Sequence, residues 1–323
     1  MALRPFPLDG ALLLFDRDSG TNVRLDGDET AELRLVAPRA VQFGITNRCN
    51  LACSFCSRDV AADSAWTADD AFAILAELAR AGVLEVAFGG GEPFAFRGFE
   101  SLVARLYDET PLAIHATTNG LLLDRRRLQL VRGKLGELRL SLYDDNDWRR
   151  TIALLVDEKL RFGVNLLLLP ERLPHLESLV LELFALGCRD VLLLSYNGPD
   201  RARHLSPADA DALATRVALL HRAVGRRGRL SLDVCWGERM ERVPRHFARG
   251  DCGAGRDFIV LTSDKRLMPC SFHHASFPIR DAADVMAQWR DRRAELAAPS
   301  TIAGCARRAD YGLSALAVAK GAT

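Results

Sequence analysis

The sequence lacks the features of an exported, membrane-embedded or nucleic-acid-binding protein. Its 323 residues carry a formal net charge of +1, so no bulk charge favours nucleic acid or an anionic membrane. The first residues, MALRPFPLDG, lack the charged-then-apolar pattern of a signal peptide. The longest apolar runs, such as VNLLLL, are far shorter than a membrane span. We therefore expect a cytoplasmic protein with no nucleic-acid partner and no membrane association.

A disulfide framework is also not expected. In a reducing compartment, the eight cysteines are candidates for metal binding, catalysis or buried packing. Hydrophobic residues make up 49% and charged residues 26%, which is typical of a globular protein. The length allows one large α/β domain, alone or with a smaller appendage.

Six apolar segments alternate with helical patterns between residues 40 and 197. They are AVQFGIT, LEVAFGGG, LAIHATTNG, LGELRLSLYD, GVNLLLLP and DVLLLSY. This alternation predicts an α/β fold with a parallel sheet, curled by right-handed crossovers into a partial (β/α)6 barrel of the TIM type. We assign residues 1–38 to a small β-rich preface, 39–234 to the core, and 235–323 to a loop-rich module that holds four cysteines.

Polar or glycine-rich segments follow the predicted strands. They are NRCNLACSFC, GGGEP, TTNG, SLYDDND and SYNGPDR. Because the carboxyl ends of parallel strands share one rim, these segments are expected to meet there. Five such segments on one rim predict a single site.

The first of these segments places Cys49, Cys53 and Cys56 at C-x3-C-x2-C spacing. Three thiolates can hold three corners of a [4Fe–4S] cluster and leave the fourth iron open for a substrate or cofactor. Two alternatives stay open on spacing alone. One is a zinc site, which wants four ligands when it is structural. The other is a set of buried thiols that pack as small apolar side chains.

The neighbouring residues resemble a known family. Phe55 stands just before the third cysteine, and Gly90, Gly91 and Glu92 follow the second predicted strand. This combination closely resembles the radical S-adenosylmethionine (SAM) superfamily, over residues 40 to about 200. The resemblance implies that a reduced cluster passes one electron to the sulfonium of SAM. The 5′-deoxyadenosyl radical released then abstracts hydrogen from a substrate.

The resemblance also implies roles for rim residues. The methionine part of SAM would chelate the open iron, Gly90 and Gly91 would let the backbone approach it, and Glu92 would accept a hydrogen bond, with the ammonium as partner. Ser141 lies where the family often has a ribose-contacting serine; an ordinary strand-end hydroxyl is the alternative. Asn119 would contact cofactor or substrate, or else make a turn.

Other polar side chains of the rim are weaker candidates. Asp144, Asp145, Asn165 and Tyr196 are expected substrate contacts, with solvated strand ends as the alternative. Cys188, in LGCRDVLLL, is expected to be a buried structural thiol.

The C-terminal cysteines resemble the auxiliary-cluster extensions called SPASM and twitch domains. Their hallmarks are a cysteine followed by Ala-Gly, a β-hairpin, a Pro-Cys pair, a helix with a central Trp, and a later cysteine. The corresponding residues here are Cys252, Pro269, Cys270, Trp289 and Cys305. The hairpin would bring Cys252 and Cys270 together.

Two departures limit this resemblance to one auxiliary [4Fe–4S] cluster. Lys265 replaces a glycine of the hairpin turn, which is therefore expected to be altered, and Arg308 occupies the position that often completes a C-x2-C pair. Cys235 is the candidate fourth ligand. Otherwise the cluster keeps an open iron, or His273 or His274 ligates it.

The leading prediction is a radical SAM oxidoreductase that matures a ribosomally synthesised peptide by cross-linking or oxidation. The 35 to 40 residues before the sheet are short for a peptide-recognition domain, so a separate leader-binding protein is expected. A low-potential reductant, flavodoxin or ferredoxin, is implied. The alternative is a radical SAM dehydrogenase or rearrangement enzyme acting on a small molecule. A molybdenum-cofactor cyclase is disfavoured by the ending AVAKGAT, and a non-catalytic iron–sulfur or zinc scaffold is the distant alternative.

Overall fold

The computed structural model describes residues 3–56, 58, 64–236, 252–300, 302 and 305. The expectations for Arg308 and for the ending AVAKGAT lie outside these residues. Within them, no helix is both long and apolar enough to cross a membrane.

The N-terminal region forms a small antiparallel sheet. Its strands are β1 (Arg4–Leu8), β2 (Ala11–Phe15) and β3 (Asn22–Leu25), in that spatial order. Strands β2 and β3 form a hairpin. Strand β1 was not predicted, because Pro5 and Pro7 are poor strand residues; they are tolerated here because β1 is an edge strand.

The central sheet confirms the predicted partial barrel. Its six parallel strands are β4 (Ala40–Thr46), β5 (Glu85–Gly90), β6 (Ala113–Thr118), β7 (Glu137–Leu142), β8 (Phe162–Leu168) and β9 (Asp190–Ser195). The helices that follow them are α1 (Ala68–Arg80), α2 (Phe99–Glu109), α3 (Arg125–Val131), α4 (Trp148–Asp157), α5 (Leu176–Ala185) and α6 (Pro207–Val224). Strands lie side by side in chain order, as right-handed crossovers require.

Local chemistry fixes where the helices begin. Thr67 is the N-cap of α1, and its hydroxyl accepts a hydrogen bond from the Asp70 amide (3.1 Å). Ser206 and Asp209 form a reciprocal capping box at the start of α6.

The sheet continues beyond the six strands at both edges. Strand β10 (Arg229–Leu232) pairs in parallel with β9, and β11 (Phe258–Leu261) pairs in parallel with β4. Strands β12 (Arg266–Met268) and β13 (Phe277–Pro278) then add antiparallel to β11, followed by helices α7 (Ala282–Asp291) and α8 (Arg293–Leu296). The C-terminal region is therefore hydrogen-bonded directly into the central sheet.

The two faces of the central sheet differ in chemistry. Alternate residues such as Val86, Phe88 and Leu140 are buried in the apolar core. The opposite face carries charged side chains, and Arg139 is central among them. Its guanidinium donates to Glu137 Oε2 (3.0 Å) and Asp190 Oδ1 (3.1 Å). The side chains on this face therefore form a polar layer, in contrast to the apolar core on the other face.

Candidate functional site

The three-cysteine loop begins directly after β4. The Cys56 amide donates to the Cys53 carbonyl (2.9 Å), and the Leu51 amide donates to Cys49 Sγ (3.5 Å). Burial raises the pKa of the Cys53 thiol, and the charges of Cys56, Cys49 and then Asp145 add to the shift. The three thiols are therefore brought together, with Cys49 and Cys53 partly buried and Cys56 exposed.

The Gly-Gly-Glu motif packs against the backbone that leads into this loop. The Gly91 amide donates to the Thr46 carbonyl (2.6 Å), and the Glu92 amide donates to the Arg48 carbonyl (2.8 Å). A Cβ on Gly90 would lie 2.4 Å from the Thr46 oxygen, and one on Gly91 only 2.1 Å from the Arg48 oxygen. Gly90 also has a positive φ of 112°. In this structure both glycines permit close contact between two protein segments; their expected contact with SAM stays a prediction.

The Glu92 side chain connects the end of β5 to the end of β6. It is 1% exposed; its Oε1 accepts from Phe94 N (3.1 Å) and Thr118 Oγ1 (2.8 Å), and its Oε2 accepts from Asn119 N (2.8 Å). Burial raises the pKa of Glu92 above its usual range, although these three donors act in the opposite direction. The carboxylate is thus held by protein donors, and the predicted hydrogen bond with a SAM ammonium stays a prediction.

Asn119 joins this network to the cysteine loop. Its Nδ2 donates to Asn50 Oδ1 (2.8 Å) and points at Cys49 Sγ, 3.7 Å away. Its Oδ1 accepts from the Leu121 amide (3.0 Å), which is the turn considered as an alternative. Asn119 therefore makes a turn and also contacts Cys49 of the three-cysteine loop.

The end of β7 completes this side of the rim. Asn146 Nδ2 donates to the carbonyls of Asn119 (2.6 Å) and Ser141 (2.9 Å). The ring of Tyr143 packs against Phe55 of the cysteine loop, with centroids 5.3 Å apart. Burial raises the pKa of Tyr143 to about 12; the Ser141 hydroxyl, its hydrogen-bond partner, opposes the shift, and the three nearby thiols add to it. Ser141 is buried, with 6% of its surface exposed. Its contact with a ribose stays a prediction.

The weaker candidates lie in different settings. Asn165 Oδ1 accepts from Arg139 Nε (2.6 Å) on the polar face, and Asp144 pairs with Arg172 at the surface (3.0 Å). Tyr196 is buried beside His204, with ring centroids 5.0 Å apart. Asp145 acts electrostatically on the cysteine loop, because its charge adds to the raised pKa of Cys53.

The four C-terminal cysteines converge although they lie far apart in the chain. Burial raises the pKa of Cys235, and the charges of Asp233, Cys252, Cys270 and Cys305 add to the shift in that order. Burial also raises the pKa of Cys270, with Cys305 and Cys252 adding to it. The fold therefore places Cys235 with the three cysteines that the sequence pattern groups.

A hairpin and a buried tryptophan lie between these cysteines in the chain. Strands β11 and β12 form the expected hairpin, and Trp289 is fully buried with its Nε1 donating to the Arg256 carbonyl (3.3 Å). Lys265 takes the left-handed conformation, with φ of 56°, at the hairpin turn. Its ammonium pairs with Asp70 of α1 (3.1 Å).

His273 and His274 are the alternative ligands considered for the auxiliary cluster. Both ring nitrogens of His273 lie near backbone groups, the Ala298 carbonyl (3.3 Å) and the Ala275 amide (3.0 Å). His274 is exposed. Cys188 is fully buried, and its thiol donates to the Asp190 carbonyl (3.2 Å), as a structural role requires.

Three residues that position the site were not singled out from the sequence. Asn146 and Thr118 link strand ends, and Asp233 accepts hydrogen bonds from the amides of Ser195 (3.1 Å) and Cys235 (3.1 Å). Short polar residues at strand ends are common turn formers, so their types gave no distinct signal. Their positions, Thr118 as the last residue of β6 and the other two just after β7 and β10, are the signal that could have found them.

Both sets of thiols are candidate ligands of iron–sulfur clusters. In the part of the chain that the structure describes, no three His, Cys, Asp or Glu side chains are arranged to hold one metal ion. In a cubane cluster each thiolate binds a different iron, whereas a structural zinc ion needs four ligands converging on one point.

Known proteins share sequence with this chain over different extents. Residues 43–147 match the family model of the Radical SAM superfamily. A probable GTP 3',8-cyclase of Methanosarcina mazei is 34% identical over 140 residues, which cover 39% of this chain and only 41% of that relative. A PqqA peptide cyclase of Rhodopseudomonas palustris is 28% identical over 298 residues, 80% of this chain and 74% of that protein.

Solved structures share the fold over most of the chain. Streptococcus suis SuiB bound to S-adenosylmethionine aligns with a TM-score of 0.70 at 14% identity, covering 90% of this chain and 88% of that one. SuiB bound to its precursor peptide SuiA gives 0.69 at 14% identity, covering 88% of each chain. These structures show the fold, and the match to the Radical SAM superfamily model concerns residues 43–147.

Proposed function

We propose that the protein is a radical SAM enzyme that matures a ribosomally synthesised peptide. The observation that carries the radical chemistry is the network from Glu92 through Asn119 to Cys49, which fixes the three-cysteine loop against the ends of β5 and β6. When bound, the cluster and SAM supply reductive cleavage of a carbon–sulfur bond and a radical that abstracts hydrogen.

The residues of this chain then have defined tasks. Cys49, Cys53 and Cys56 bind three irons and leave the fourth for SAM. The amide of Asn119 and the backbone N–H groups beside the sulfurs stabilise thiolate charge. Phe55 and Tyr143 cover one side of the loop and exclude water from it.

We assign the second cysteine set to one auxiliary [4Fe–4S] cluster with Cys235, Cys252, Cys270 and Cys305 as ligands. Cys252, Cys270 and Cys305 all act electrostatically on Cys235, and Cys305 and Cys252 act on Cys270, which supports a shared cluster. Under this assignment residues 235–323 are an auxiliary-cluster module, docked on the core through β11.

A peptide substrate is supported by the relatives that share most of the chain. One is named PqqA peptide cyclase, and SuiB has been crystallised with a precursor peptide. An external low-potential reductant and a separate leader-binding protein complete the proposal.

The test uses the anaerobically reconstituted protein with dithionite and SAM. Production of 5′-deoxyadenosine is measured with and without peptides encoded beside the gene, and the mass of each peptide is followed. The proposal expects nucleoside formation that a peptide stimulates, together with a mass change in that peptide. Intact clusters without any nucleoside would overturn the radical chemistry itself.

A small-molecule substrate is the second candidate, because a relative at 34% identity is named as a probable GTP 3',8-cyclase. The same assay with GTP in place of peptide separates the two. Nucleoside formation stimulated by GTP, with conversion of GTP, would favour this candidate.

A further inference from the structure

A cavity of about 240 Å³ lies at the amino-terminal ends of the strands. Its walls include the first residues of β6, the residues just before β7 and β8, and the turn between β2 and β3. Because the strands are parallel, this is the end opposite the cysteine rim. The six residues of β6 span about 20 Å, so the two sites are well separated. We call it the basal cavity.

Basic side chains dominate the lining of the basal cavity. They are Arg17, Arg132, Lys134, Lys159 and Arg161, with Asp18 as the acidic member. The chain as a whole carries a formal net charge of only +1, so this concentration of positive charge is local.

Part of this charge has no acidic partner. Arg17 pairs with Asp18 (3.6 Å), Arg132 with Glu158 (3.9 Å) and Lys134 with Asp108 (2.7 Å). Arg161 Nη1 instead donates to a neutral carbonyl, that of Ser19 (2.8 Å). Among the described residues, no carboxylate pairs with Arg161 or with Lys159. Lys159 is exposed in a left-handed conformation, with φ of 52°. The cavity therefore attracts anions.

The lining indicates which kind of anion fits. Tight phosphate sites use free backbone N–H groups. Here the amides of the connecting loops already donate within the protein; they are those of Lys134, Leu135, Gly136, Lys159 and Leu160. What remains is flexible cationic side chains beside apolar ones such as Leu112 and Ile114. That mixture suits carboxylates spaced along a peptide better than a caged phosphate.

We propose that the basal cavity binds an acidic segment of the peptide substrate, remote from the residue that is modified. This rests on the peptide-maturing function proposed above. More than about six extended residues would separate the bound acidic segment from the modified position, since the chain must cover the length of the strands. Recognition and chemistry would then occupy opposite ends of one sheet.

The test measures binding separately from turnover. Fluorescence anisotropy of the reconstituted enzyme is recorded with a labelled peptide of alternating Glu and Leu and with its Gln–Leu counterpart. The variant Lys134→Gln/Lys159→Asn removes two charges, and Asn tolerates the left-handed conformation at position 159. Arg222→Gln/Arg290→Gln removes two exposed charges on α6 and α7 as the matched control. We expect about fivefold weaker binding of the acidic peptide by the cavity variant and an unchanged affinity in the control.

Each outcome is decisive. Equal affinity for the Glu and Gln peptides, or equal weakening in both variants, would overturn the proposal. So would displacement of the acidic peptide by inorganic phosphate at lower concentration than by free glutamate, since the cavity would then be a phosphate site. SAM cleavage without substrate should be the same in the cavity variant and the wild type. A failure of the radical chemistry would instead leave peptide binding intact and nucleoside absent.

Discussion

The three cysteines after β4 and the four cysteines between residues 235 and 305 differ in what brings them together. The first three fall within eight residues of one loop. The other four come from the end of β10, the segment before β11, the end of β12 and a position beyond α8. Local spacing specifies the first site, whereas long-range strand pairing specifies the second.

Their surroundings differ as well. Cys56 is exposed, and the loop around it lies open at the rim. The four C-terminal cysteines are all partly buried, and burial raises the pKa of both Cys235 and Cys270, as it does that of Cys53. An accessible site suits a cluster that must bind SAM and receive electrons, while a shielded site suits a cluster that holds a structure together or contacts an enclosed substrate.

The largest expected effect comes from removing the first set. Replacing Cys49, Cys53 and Cys56 together by Ala should abolish 5′-deoxyadenosine formation, because no thiolate remains to hold the SAM-binding cluster. The product is measured by chromatography after reduction with dithionite. Cys188→Ser, which changes a buried thiol outside both sets, should retain it. Nucleoside formation by the triple variant would sink the assignment.

Removing part of the second set should have a different effect. Cys252→Ala/Cys270→Ala should lose about four irons per chain, the content of one cubane. Slow SAM cleavage without substrate should continue, because the first cluster is held by other residues. Iron analysis together with the nucleoside assay measures both. Unchanged iron content would contradict the auxiliary-cluster assignment, and loss of SAM cleavage would show that the two sites are not independent.

The same contrast explains what the sequence could predict. The alternation of strands and helices and the spacing of Cys49, Cys53 and Cys56 are local, and both the partial barrel and the grouping of the three thiols appear in the structure. The pairing of β11 with β4 joins residues more than 200 positions apart, and nothing local encodes it. Strand β1 was not predicted because its prolines are untypical of strands and are tolerated only at a sheet edge.

The site shows the same limit at the scale of single side chains. Sequence reasoning gave Glu92 a partner in the cofactor, which stays a prediction. It did not foresee that Phe94, Thr118 and Asn119 donate to the carboxylate oxygens. Asn146 could not be singled out, since its role depends on two carbonyls from different strands. Contacts between strand ends require the register of the folded sheet.

Glu92→Gln tests these contacts between strand ends, and we expect an effect of intermediate size on stability. Glu92→Gln leaves one acceptor oxygen where three donors point, so at least one donor faces an NH2 group. We expect a loss of about 1–3 kcal/mol in the free energy of unfolding, from the unpaired buried group. Denaturant titration measures the stability, and equilibrium dialysis measures weaker SAM binding.

The exposed substitution Glu29→Gln in the preface serves as the control for Glu92→Gln. It should change neither the free energy of unfolding nor the affinity for SAM. Unaltered stability and SAM affinity in Glu92→Gln would mean that the network does not hold the rim in place.

The smallest expected effect concerns Cys188, which belongs to neither set. Burial raises its pKa from 9.0 to about 11. A thiol whose pKa rises on folding stabilises the protein below its unfolded pKa, and this contribution is lost as pH rises through the folded pKa. The free energy of unfolding should therefore fall between about pH 9 and about pH 11, by about 1 kcal/mol at pH 10. Cys188→Ser keeps a donor for the Asp190 carbonyl and does not titrate in this range, so its stability should fall less steeply. Parallel curves for the two proteins, measured by denaturant unfolding under anaerobic conditions, would show that Cys188 is not held as a protonated buried thiol. Cys188 would then no longer contrast, as a neutral thiol, with the cysteines that we propose as cluster ligands.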